Sequence, residues 1–390
     1  MIGATAERSA GALLLTGATG FLGMELLARW LERTDRRIYA LVRARDDAEA
    51  AARIGATLET LYGDSERYAE RVVAIPGDIT RVGLGLDDAR RDELAGEVSE
   101  IVHCAASVSF SLGLEASRGI NVTGTHRMLA FAERCRACGG LDRFAHVSTA
   151  YVAGARGGVA REDESDVGQR FRNAYERSKL EGELSVHAVA QRLPVQIFRP
   201  SIIVGEQETG WTASFNVLYW PLRAFSRGLY PAIPARRAGV VDVVSVDYVA
   251  DAIFAISQQP VEPGATYHLT SGERATNVGE LIDLAARRFG RPAPRVVHPL
   301  LFERLLLPRL ERRAGESVRA ALRESRFYFP YFSIGLRYDD QRARAALEPV
   351  GIRPAPLASY FDKLLDYAEA ARWGKHPLSR VHDQVPSLVG

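Results

Sequence analysis

The chain has 390 residues, 47% of them hydrophobic and 25% charged, with a formal net charge of +2. This composition is typical of a soluble globular protein large enough for more than one lobe, and the small charge argues against nucleic-acid binding. No stretch approaches the roughly 20 apolar residues of a transmembrane helix. Three cysteines and no visible secretory signal at residues 1–10 favour a reducing compartment, so we expect a cytoplasmic protein.

Short apolar stretches alternate with helical patterns over the first two hundred residues. The apolar stretches predict buried strands at Leu13–Leu15, Ile38–Val42, Val72–Ile75, Ile101–Cys104, Phe144–Val147 and Val195–Phe198. Helices are predicted at Phe21 to Leu31, Val122 to Arg136 and Ala174 to Gln191. This alternation predicts an α/β fold, a Rossmann-type doubly wound parallel sheet with its ligand crevice at the carboxyl ends of the strands.

A glycine-rich turn follows the first predicted strand and opens a helix. Gly17 permits a tight turn, Gly20 lets the backbone approach a pyrophosphate, and Gly23 allows close contact between helix and strand. The N–H groups and dipole at the helix start favour phosphate charge, although a turn without a ligand is the alternative. We therefore expect a dinucleotide here, contacted by Thr16, Gly17, Thr19, Gly20, Phe21, Leu22 and Gly23.

The end of the second strand bears on the choice of cofactor. A carboxylate there would favour NAD, whereas Arg43, assisted by Arg45, suits the 2′-phosphate of NADPH. Asp46 and Asp47 follow, and we assign them to the start of the next helix. Later strand ends are expected to complete the cofactor site through Asp78, Ile79, Ala105, Ala106, Ser148, Pro200, Ser201 and Ile202.

Asp78 has two possible roles, because its carboxylate can accept from the adenine amino group or cap a turn. Cys135 and Cys138 have the spacing of a redox or metal pair. No second pair or histidine cluster completes such a site, and we expect no metal.

Tyr175 and Lys179 lie four residues apart and therefore share one face of the predicted helix. Thr149 ends the fifth strand, so the three side chains can converge at the crevice. Hydride transfer to a carbonyl builds negative charge on oxygen, which Thr149 can stabilise and Tyr175 can protonate. The Lys179 ammonium is expected to lower the pKa of Tyr175 and to bind the nicotinamide ribose. An exposed amphipathic helix is the alternative explanation of this spacing.

The pattern loosens after Pro200. A strand is predicted at Val240 to Ser245, with Asp247 capping the next helix, and a strand–helix pair at Thr266–Leu269 and Val278–Phe289. We assign residues 1–205 mainly to an NADP-binding domain, to which residues 240–258 return. Residues 206–390 are assigned mainly to a smaller C-terminal substrate-binding lobe.

Three segments of this lobe offer binding surfaces. Aromatic residues between Trp211 and Leu229 could line an acyl pocket or form an ordinary core helix. Phe302 to Arg323 alternates leucine and arginine, so it could dock an acidic carrier protein, bind the phosphates of coenzyme A, contact an anionic membrane peripherally or face solvent. Phe327 to Phe332 is expected to pack the lobe against the core or to cap a substrate tunnel.

Taken together, these motifs resemble the extended short-chain dehydrogenase/reductase superfamily over roughly Leu13 to Leu269. His146 to Gly154, Asn173 to Lys179 and Leu41 to Ala44 are most similar to the thioester reductase and fatty acyl-CoA reductase branch, with its male-sterility-type NAD-binding domain. The resemblance implies NADPH-dependent reduction of an acyl thioester, held on coenzyme A or an acyl carrier protein, to an aldehyde or onward to an alcohol. It also implies that Thr149, Tyr175 and Lys179 form the catalytic triad.

Two other functions are compatible with these residues. One is an NADP(H)-dependent alcohol or ketone dehydrogenase that uses the same triad on a hydroxysteroid-like, polyketide or sugar substrate. The other is a non-catalytic dinucleotide-sensing regulator, against which the intact Tyr175 and Lys179 argue. No pattern indicates an oligomeric state.

Overall fold

The structure is a computed structural model that describes residues 11–215, 217–230 and 232–380. Residues 1–10, on which the expectation about a secretory signal rests, lie outside the described residues, as do residues 381–390 of the predicted C-terminal lobe. Of the helices within the described ranges, none is both long enough and apolar enough to cross a membrane.

Strands and helices alternate along the described residues. The strands are β1 (Ala12–Thr16), β2 (Ile38–Val42), β3 (Val72–Pro76), β4 (Val98–His103), β5 (Arg143–Val147), β6 (Gly158–Ala160), β7 (Val195–Pro200), β8 (Ile202–Val204), β9 (Ala232–Pro234), β10 (Val240–Val241), β11 (Val243–Ser245), β12 (Ala265–Leu269), β13 (Thr276–Asn277), β14 (Arg295–Val297) and β15 (Leu336–Tyr338). The α-helices are α1 (Phe21–Arg33), α2 (Asp47–Tyr62), α3 (Asp88–Glu97), α4 (Leu114–Asn121), α5 (Thr123–Cys138), α6 (Ala174–His187), α7 (Tyr219–Ser226), α8 (Val246–Ser257), α9 (Val278–Phe289), α10 (Pro299–Leu301), α11 (Leu307–Arg313), α12 (Glu316–Ser325), α13 (Gln341–Leu347) and α14 (Phe361–Ala370).

A seven-stranded sheet in the order β12-β7-β5-β4-β1-β2-β3 forms the centre of the molecule, and its neighbouring strands pair in parallel. The chain starts at β1, builds outward to β3, and then returns beside β1 to build the other half from β4. Most of the strand residues are buried because helices cover both faces, which explains their continuous apolar sequences. The predicted doubly wound sheet is confirmed, and its topological switch point lies between β1 and β4.

The structure corrects two expectations near α8. This helix begins at Val246 directly after β11, so Ser245 is its N-cap and Asp247 lies within its first turn. The Oδ2 atom of Asp247 instead accepts a hydrogen bond from Gln207 at 3.2 Å. The strand predicted at Val240 to Ser245 is divided at Asp242, whose buried carboxylate accepts from the Ser271 N–H at 2.8 Å.

The later part of the chain contributes to both halves of the molecule. Helix α8 packs against α1, where Trp30 and Phe254 meet edge to face and Arg29 pairs with Asp251 at 2.6 Å. Strand β12 joins the edge of the main sheet beside β7. Helix α7, which precedes α8, and α9 and a 3₁₀ segment at Phe329–Ser333, which follow β12, surround a second apolar core. The chain therefore leaves the sheet, returns to it, and leaves it again.

Candidate active site

The turn between β1 and α1 has the shape that a bound pyrophosphate needs. Gly17 has a φ of +80°, and a Cβ there would lie 2.9 Å from the backbone nitrogen of Ala105. A Cβ on Gly23 would lie 1.8 Å from the carbonyl oxygen of Gly17. Helix α1 starts after Gly20 without a side-chain cap, so no capping side chain competes with a phosphate for its first N–H groups. The residues present therefore fit a dinucleotide.

Several residues that are predicted to contact the cofactor at this turn have side chains that bond to, or pack against, other parts of the protein. The hydroxyl of Thr16 accepts from the Ala105 N–H at 3.1 Å and lies 2.8 Å from Nδ1 of His103, which ties β1 to the end of β4. The Phe21 ring packs on Trp211 at 5.8 Å, and Leu22 is buried in the core. Any contact of Thr16 or Leu22 with the cofactor would therefore be made by backbone atoms. Thr19, Ala105 and Ala106 are half-buried, as Phe21 is, while Gly20 is exposed.

A polar pocket lies where β2 and β3 end. Its cationic residues are Arg43, Arg45, Arg81 and Arg90. Arg45 is paired with Glu49 at 2.7 Å, and Arg90 with Asp47 at 2.7 Å. Within the described part of the chain, Arg43 and Arg81 have no acidic partner, so both guanidinium groups are available to a phosphate. The sequence reasoning missed Arg81, although it follows Asp78 by three residues.

Two neighbouring aspartates have structural roles. Asp46 caps α2, because its Oδ1 accepts from the Glu49 N–H at 2.8 Å; the expectation that it begins this helix is confirmed. Asp78 caps a turn, since its Oδ1 accepts from both the N–H and the hydroxyl of Thr80 at 2.7 Å. Ile79 is buried against Gly124 of α5. Contacts from Asp78 and Ile79 to adenine stay a prediction.

Thr149, Tyr175 and Lys179 converge at the carboxyl end of β5. Tyr175 and Lys179 lie on one face of α6, whose first turn is fixed by a 3.0 Å hydrogen bond from the Glu176 N–H to Asn173. The Lys179 ammonium donates to the carbonyl oxygen of Val147 at 2.8 Å, and the Thr149 hydroxyl lies close enough to Tyr175 to influence the pKa of its phenol. All three residues are buried.

The electrostatics of this cluster differ from the expectation. Burial raises the pKa of Tyr175 to about 12, and the nearby Thr149 hydroxyl offsets only part of that rise. Burial also lowers the pKa of Lys179 to about 8. The expected lowering of the tyrosine pKa by Lys179 is therefore wrong for this structure, because desolvation of the phenol dominates. A phenol with a raised pKa stays protonated at neutral pH and is available as a proton donor.

Ser148 and Thr149 are adjacent, but their hydroxyls have different partners. The Ser148 hydroxyl donates to Glu183 at 2.6 Å, whereas the Thr149 side chain reaches Tyr175. Burial alone would raise the pKa of Glu183, but the guanidinium of Arg199 and neighbouring hydrogen bonds hold it well below its usual range. This buried pair fixes α6 to β7. The sequence reasoning missed it, although Glu183 follows Lys179 by four residues on the same helix face.

The end of β7 lies beside the triad. The carbonyl oxygen of Pro200 accepts from the Thr149 hydroxyl at 3.3 Å, and the Ser201 N–H donates to Leu269 on β12 at 3.2 Å. Ile202 begins β8, which pairs with β11. Contacts from these three residues to a nicotinamide ring stay a prediction.

Phe110, in the loop between β4 and α4, packs on Tyr175 and is itself covered by Tyr331 of the lobe. The Phe110 ring centroid lies 5.5 Å from that of Tyr175 and 5.1 Å from that of Tyr331, with which it is stacked. Tyr331 also donates from its hydroxyl to Glu176 at 2.7 Å and packs edge to face on Tyr151. The expectation that Phe327 to Phe332 packs the lobe against the core is met by Tyr331.

Comparison with known proteins identifies the family. Residues 15–253 match the profile of the male sterility protein, an NAD-binding family. The chain belongs to this family. The resemblance drawn from the sequence motifs is thereby confirmed.

Proteins with similar sequences include large synthetases and shorter chains. Isonitrile lipopeptide synthase of Streptomyces coeruleorubidus is 33% identical over 291 residues, which are 73% of this chain and 19% of that protein. Probable fatty acyl-CoA reductase 5 of Arabidopsis thaliana is 25% identical over 349 residues, covering 71% of this chain and 70% of that one. The chain spans 5% to 28% of the length of three large synthetase and synthase relatives.

A solved structure agrees over nearly the whole chain. The terminal R domain from the myxalamid PKS-NRPS biosynthetic pathway superposes with a TM-score of 0.81 at 30% identity and covers 95% of this chain and 93% of that domain. The shared α/β architecture confirms the predicted fold class.

Proposed function

We propose that this chain is an NADPH-dependent reductase of acyl thioesters carried by coenzyme A or an acyl carrier protein, and that it releases an aldehyde. The observation that carries the proposal is the convergence of Thr149, Tyr175 and Lys179 beside a dinucleotide turn. The similarity to a terminal R domain and to a fatty acyl-CoA reductase supports the thioester as the substrate class.

Different side chains of the protein would act on the carbonyl group of the thioester. Bound NADPH supplies the hydride. Thr149 donates a hydrogen bond to the oxygen on which charge develops, and Tyr175 gives that oxygen its proton. The resulting hemithioacetal breaks its carbon–sulfur bond to give an aldehyde and a free thiol. Lys179 would hold the nicotinamide ribose. A second reduction, of the aldehyde, would give an alcohol.

The preference for NADPH rests on the pocket where β2 and β3 end. Arg43 and Arg81 lie there without acidic partners among the described residues, and a 2′-phosphate can accept hydrogen bonds from both. NADH has no phosphate at this position. We therefore expect Arg43 and Arg81 to discriminate between the two cofactors.

A thioester panel tests the proposal. Purified protein is incubated with NADPH and acyl thioesters of coenzyme A or a carrier protein, while NADPH oxidation and free thiol are followed and products are identified by mass. We expect one thiol and one aldehyde for each first turnover. NADPH oxidation on ketones with none on thioesters would instead indicate the alcohol or ketone dehydrogenase. If Tyr175→Phe oxidises NADPH as fast as the wild-type protein does, the triad takes part in neither reaction.

A further inference from the structure

Residues 378–380 cross from the lobe to the dinucleotide-binding half of the sheet, and we call them the C-terminal strap. The Leu378 carbonyl oxygen accepts a hydrogen bond at 3.0 Å from the hydroxyl of Tyr367 on α14. The Arg380 N–H donates to the carbonyl oxygen of Thr60 on α2 at 2.8 Å. The strap is therefore bonded at one end to a helix of the lobe and at the other to a helix beside the cofactor turn.

The guanidinium group of Arg380 lies among three carboxylates. Its Nε is 2.7 Å from Glu206 and 3.1 Å from Glu25, and its Nη1 is 3.4 Å from Glu32. Glu25 is fully buried, and Arg29 is the second cation beside it, at 2.8 Å. Burial raises the pKa of Glu25 to about 7, and the two guanidinium groups keep it from rising further. The charge of Glu25 near neutral pH therefore depends on these arginines.

The strap contacts two successive turns of α1, starting at the end that faces the cofactor. Phe21 and Glu25 lie four residues apart and share one face of this helix. Phe21 is the first residue of α1, directly after the glycine-rich turn, and its ring packs on Trp211 at 5.8 Å. The Trp211 indole N–H donates to the Leu378 carbonyl oxygen at 3.2 Å. The strap thus reaches the first turn of α1 through Trp211 and the second through Arg380.

We propose that Arg380 is a positioning residue for the dinucleotide, because it holds the strap and Trp211 against the helix start that binds the pyrophosphate. The inference rests on the cofactor binding of the proposed function and is independent of the thioester. Helix α1 has no side-chain cap, so packing on Phe21 supplies a constraint that a cap would otherwise give. Without the strap, fewer molecules would hold the helix start in the binding geometry, and the apparent affinity would fall by that fraction.

The chain offers a matched control arginine. Arg288 on α9 also contacts three carboxylates, all on α14 of the lobe: Asp362 at 3.9 Å, Asp366 at 2.7 Å and Glu369 at 2.8 Å. The side chains of Arg380 and Arg288 are 18% and 24% exposed. Arg288→Ala therefore removes a similar cation without changing a contact to α1.

The first test measures NADPH binding to the protein by fluorescence titration, with circular dichroism to establish that each variant is folded. Arg380→Ala should raise the Kd for NADPH about tenfold, if the helix start is then competent in about a tenth of the molecules. Arg288→Ala should leave the Kd unchanged, and Arg380→Lys, which keeps the cation, should recover most of the affinity. At saturating NADPH, the kcat of Arg380→Ala should equal that of the wild-type protein. Equal Kd values in Arg380→Ala and the wild-type protein, or equal losses in both alanine variants, would overturn the proposal.

Two further measurements decide the question if Arg380→Ala does not fold. Trp211→Phe keeps a ring beside Phe21 and removes the bond to Leu378, so it should raise the Kd by less than the loss of Arg380 does. Hydrogen exchange of the wild-type protein needs no substitution. If the strap raises the affinity for NADPH, NADPH must stabilise the strap by the same factor, so peptides that contain Arg380 should exchange about tenfold more slowly when NADPH is bound. Exchange at an unchanged rate would contradict the proposal.

Binding and turnover separate this inference from the proposed function. Weaker NADPH binding in Arg380→Ala, without reduction of any thioester by the wild-type protein, would refute the proposed function and keep the role of the strap. Thioester reduction with equal NADPH affinity in both proteins would keep the function and refute the strap. Lower stability in urea as the one effect of Arg380→Ala would mark the carboxylate cluster as purely structural. A wild-type protein that binds neither NADPH nor NADH would refute both.

Discussion

The central sheet and the C-terminal lobe are built in different ways. Strands of the sheet have five or six residues, whereas β9, β10, β13 and β14 in the lobe have two or three. The triad belongs to the sheet side, at the end of β5 and on α6. The short strands of the lobe lie around a second apolar core. This difference indicates that the triad residues are held by long, buried strands and a helix, whereas the lobe is built from short segments packed around their own core.

The two regions meet through few polar contacts near the site. Tyr331 reaches Glu176 and Asn173 on and before α6, at 2.7 and 2.8 Å. These bonds attach the lobe to the helix that carries Tyr175 and Lys179. The following changes separate the contributions of the two regions, beginning with the largest expected effect.

Removing the phenol hydroxyl from the sheet side should abolish most of the activity. Tyr175→Phe is expected to lower kcat with thioesters by about 10²- to 10⁴-fold, because general acid catalysis is lost while NADPH still binds. Steady-state kinetics and NADPH binding by fluorescence measure the two effects. The control is Tyr39→Phe. Tyr39 lies on β2, away from the triad, and its hydroxyl donates to Glu97 at the end of α3. Equal kcat values for the two variants would contradict the assignment.

A change in the arginine pocket where β2 and β3 end should alter cofactor binding and leave the KM for the acyl thioester unchanged. Arg43→Ala is expected to raise the KM for NADPH by about 10- to 100-fold, because a charge-assisted hydrogen bond is lost, and to leave the KM for NADH unchanged. Arg37→Ala, an exposed arginine paired with Glu97, is the control. Parallel changes with both cofactors would show that Arg43 does not bind the phosphate.

The buried lysine should give the activity an alkaline limit. Burial lowers the pKa of Lys179 to about 8, so its ammonium is present below that pH and is lost above it. With a fixed acyl thioester, kcat/KM should fall about tenfold per pH unit above pH 8. The phenol, with its pKa raised to about 12, stays protonated throughout this range. Residual activity of Lys179→Met should lack the fall near pH 8; if the fall persists, another group causes it.

Loosening the lobe should have the smallest effect on the chemistry. Tyr331→Phe leaves Glu176 without one donor, so we expect a loss of about 1–3 kcal/mol in the free energy of unfolding and a few-fold rise in the thioester KM. Tyr62→Phe removes a similar bond to Glu32, 3.1 Å long, on the sheet side. It should lower stability without changing KM. Urea unfolding and kinetics of both variants measure the contrast, which a large fall in kcat for Tyr331→Phe would contradict.

The sheet side was predicted best because the sequence patterns that define its strands and its glycine turn are local. Continuous apolar strands and the glycine turn identify the fold, and parallel strands bring Thr149 to the same edge as Tyr175 and Lys179. The contact between Tyr331 and Glu176 joins residues 155 positions apart, and no local pattern encodes it. The pKa of Tyr175 was predicted in the wrong direction because its burial depends on contacts that are distant in sequence, such as the packing of Phe110 on its ring at 5.5 Å. The N-cap of α8 was predicted at Asp247, two residues too late, because Ser245 both ends β11 and occupies the N-cap position of α8.

The return of the chain to the sheet has a practical consequence for hybrid enzymes. Because α8 and β12 belong to the sheet side but lie between lobe segments in sequence, a single splice point cannot exchange the lobe with that of a relative. Two grafts are required, one ending before β11 and one beginning after β12, with β11, α8 and β12 retained. A hybrid made in this way should keep the cofactor preference of the parent while carrying the lobe of the donor.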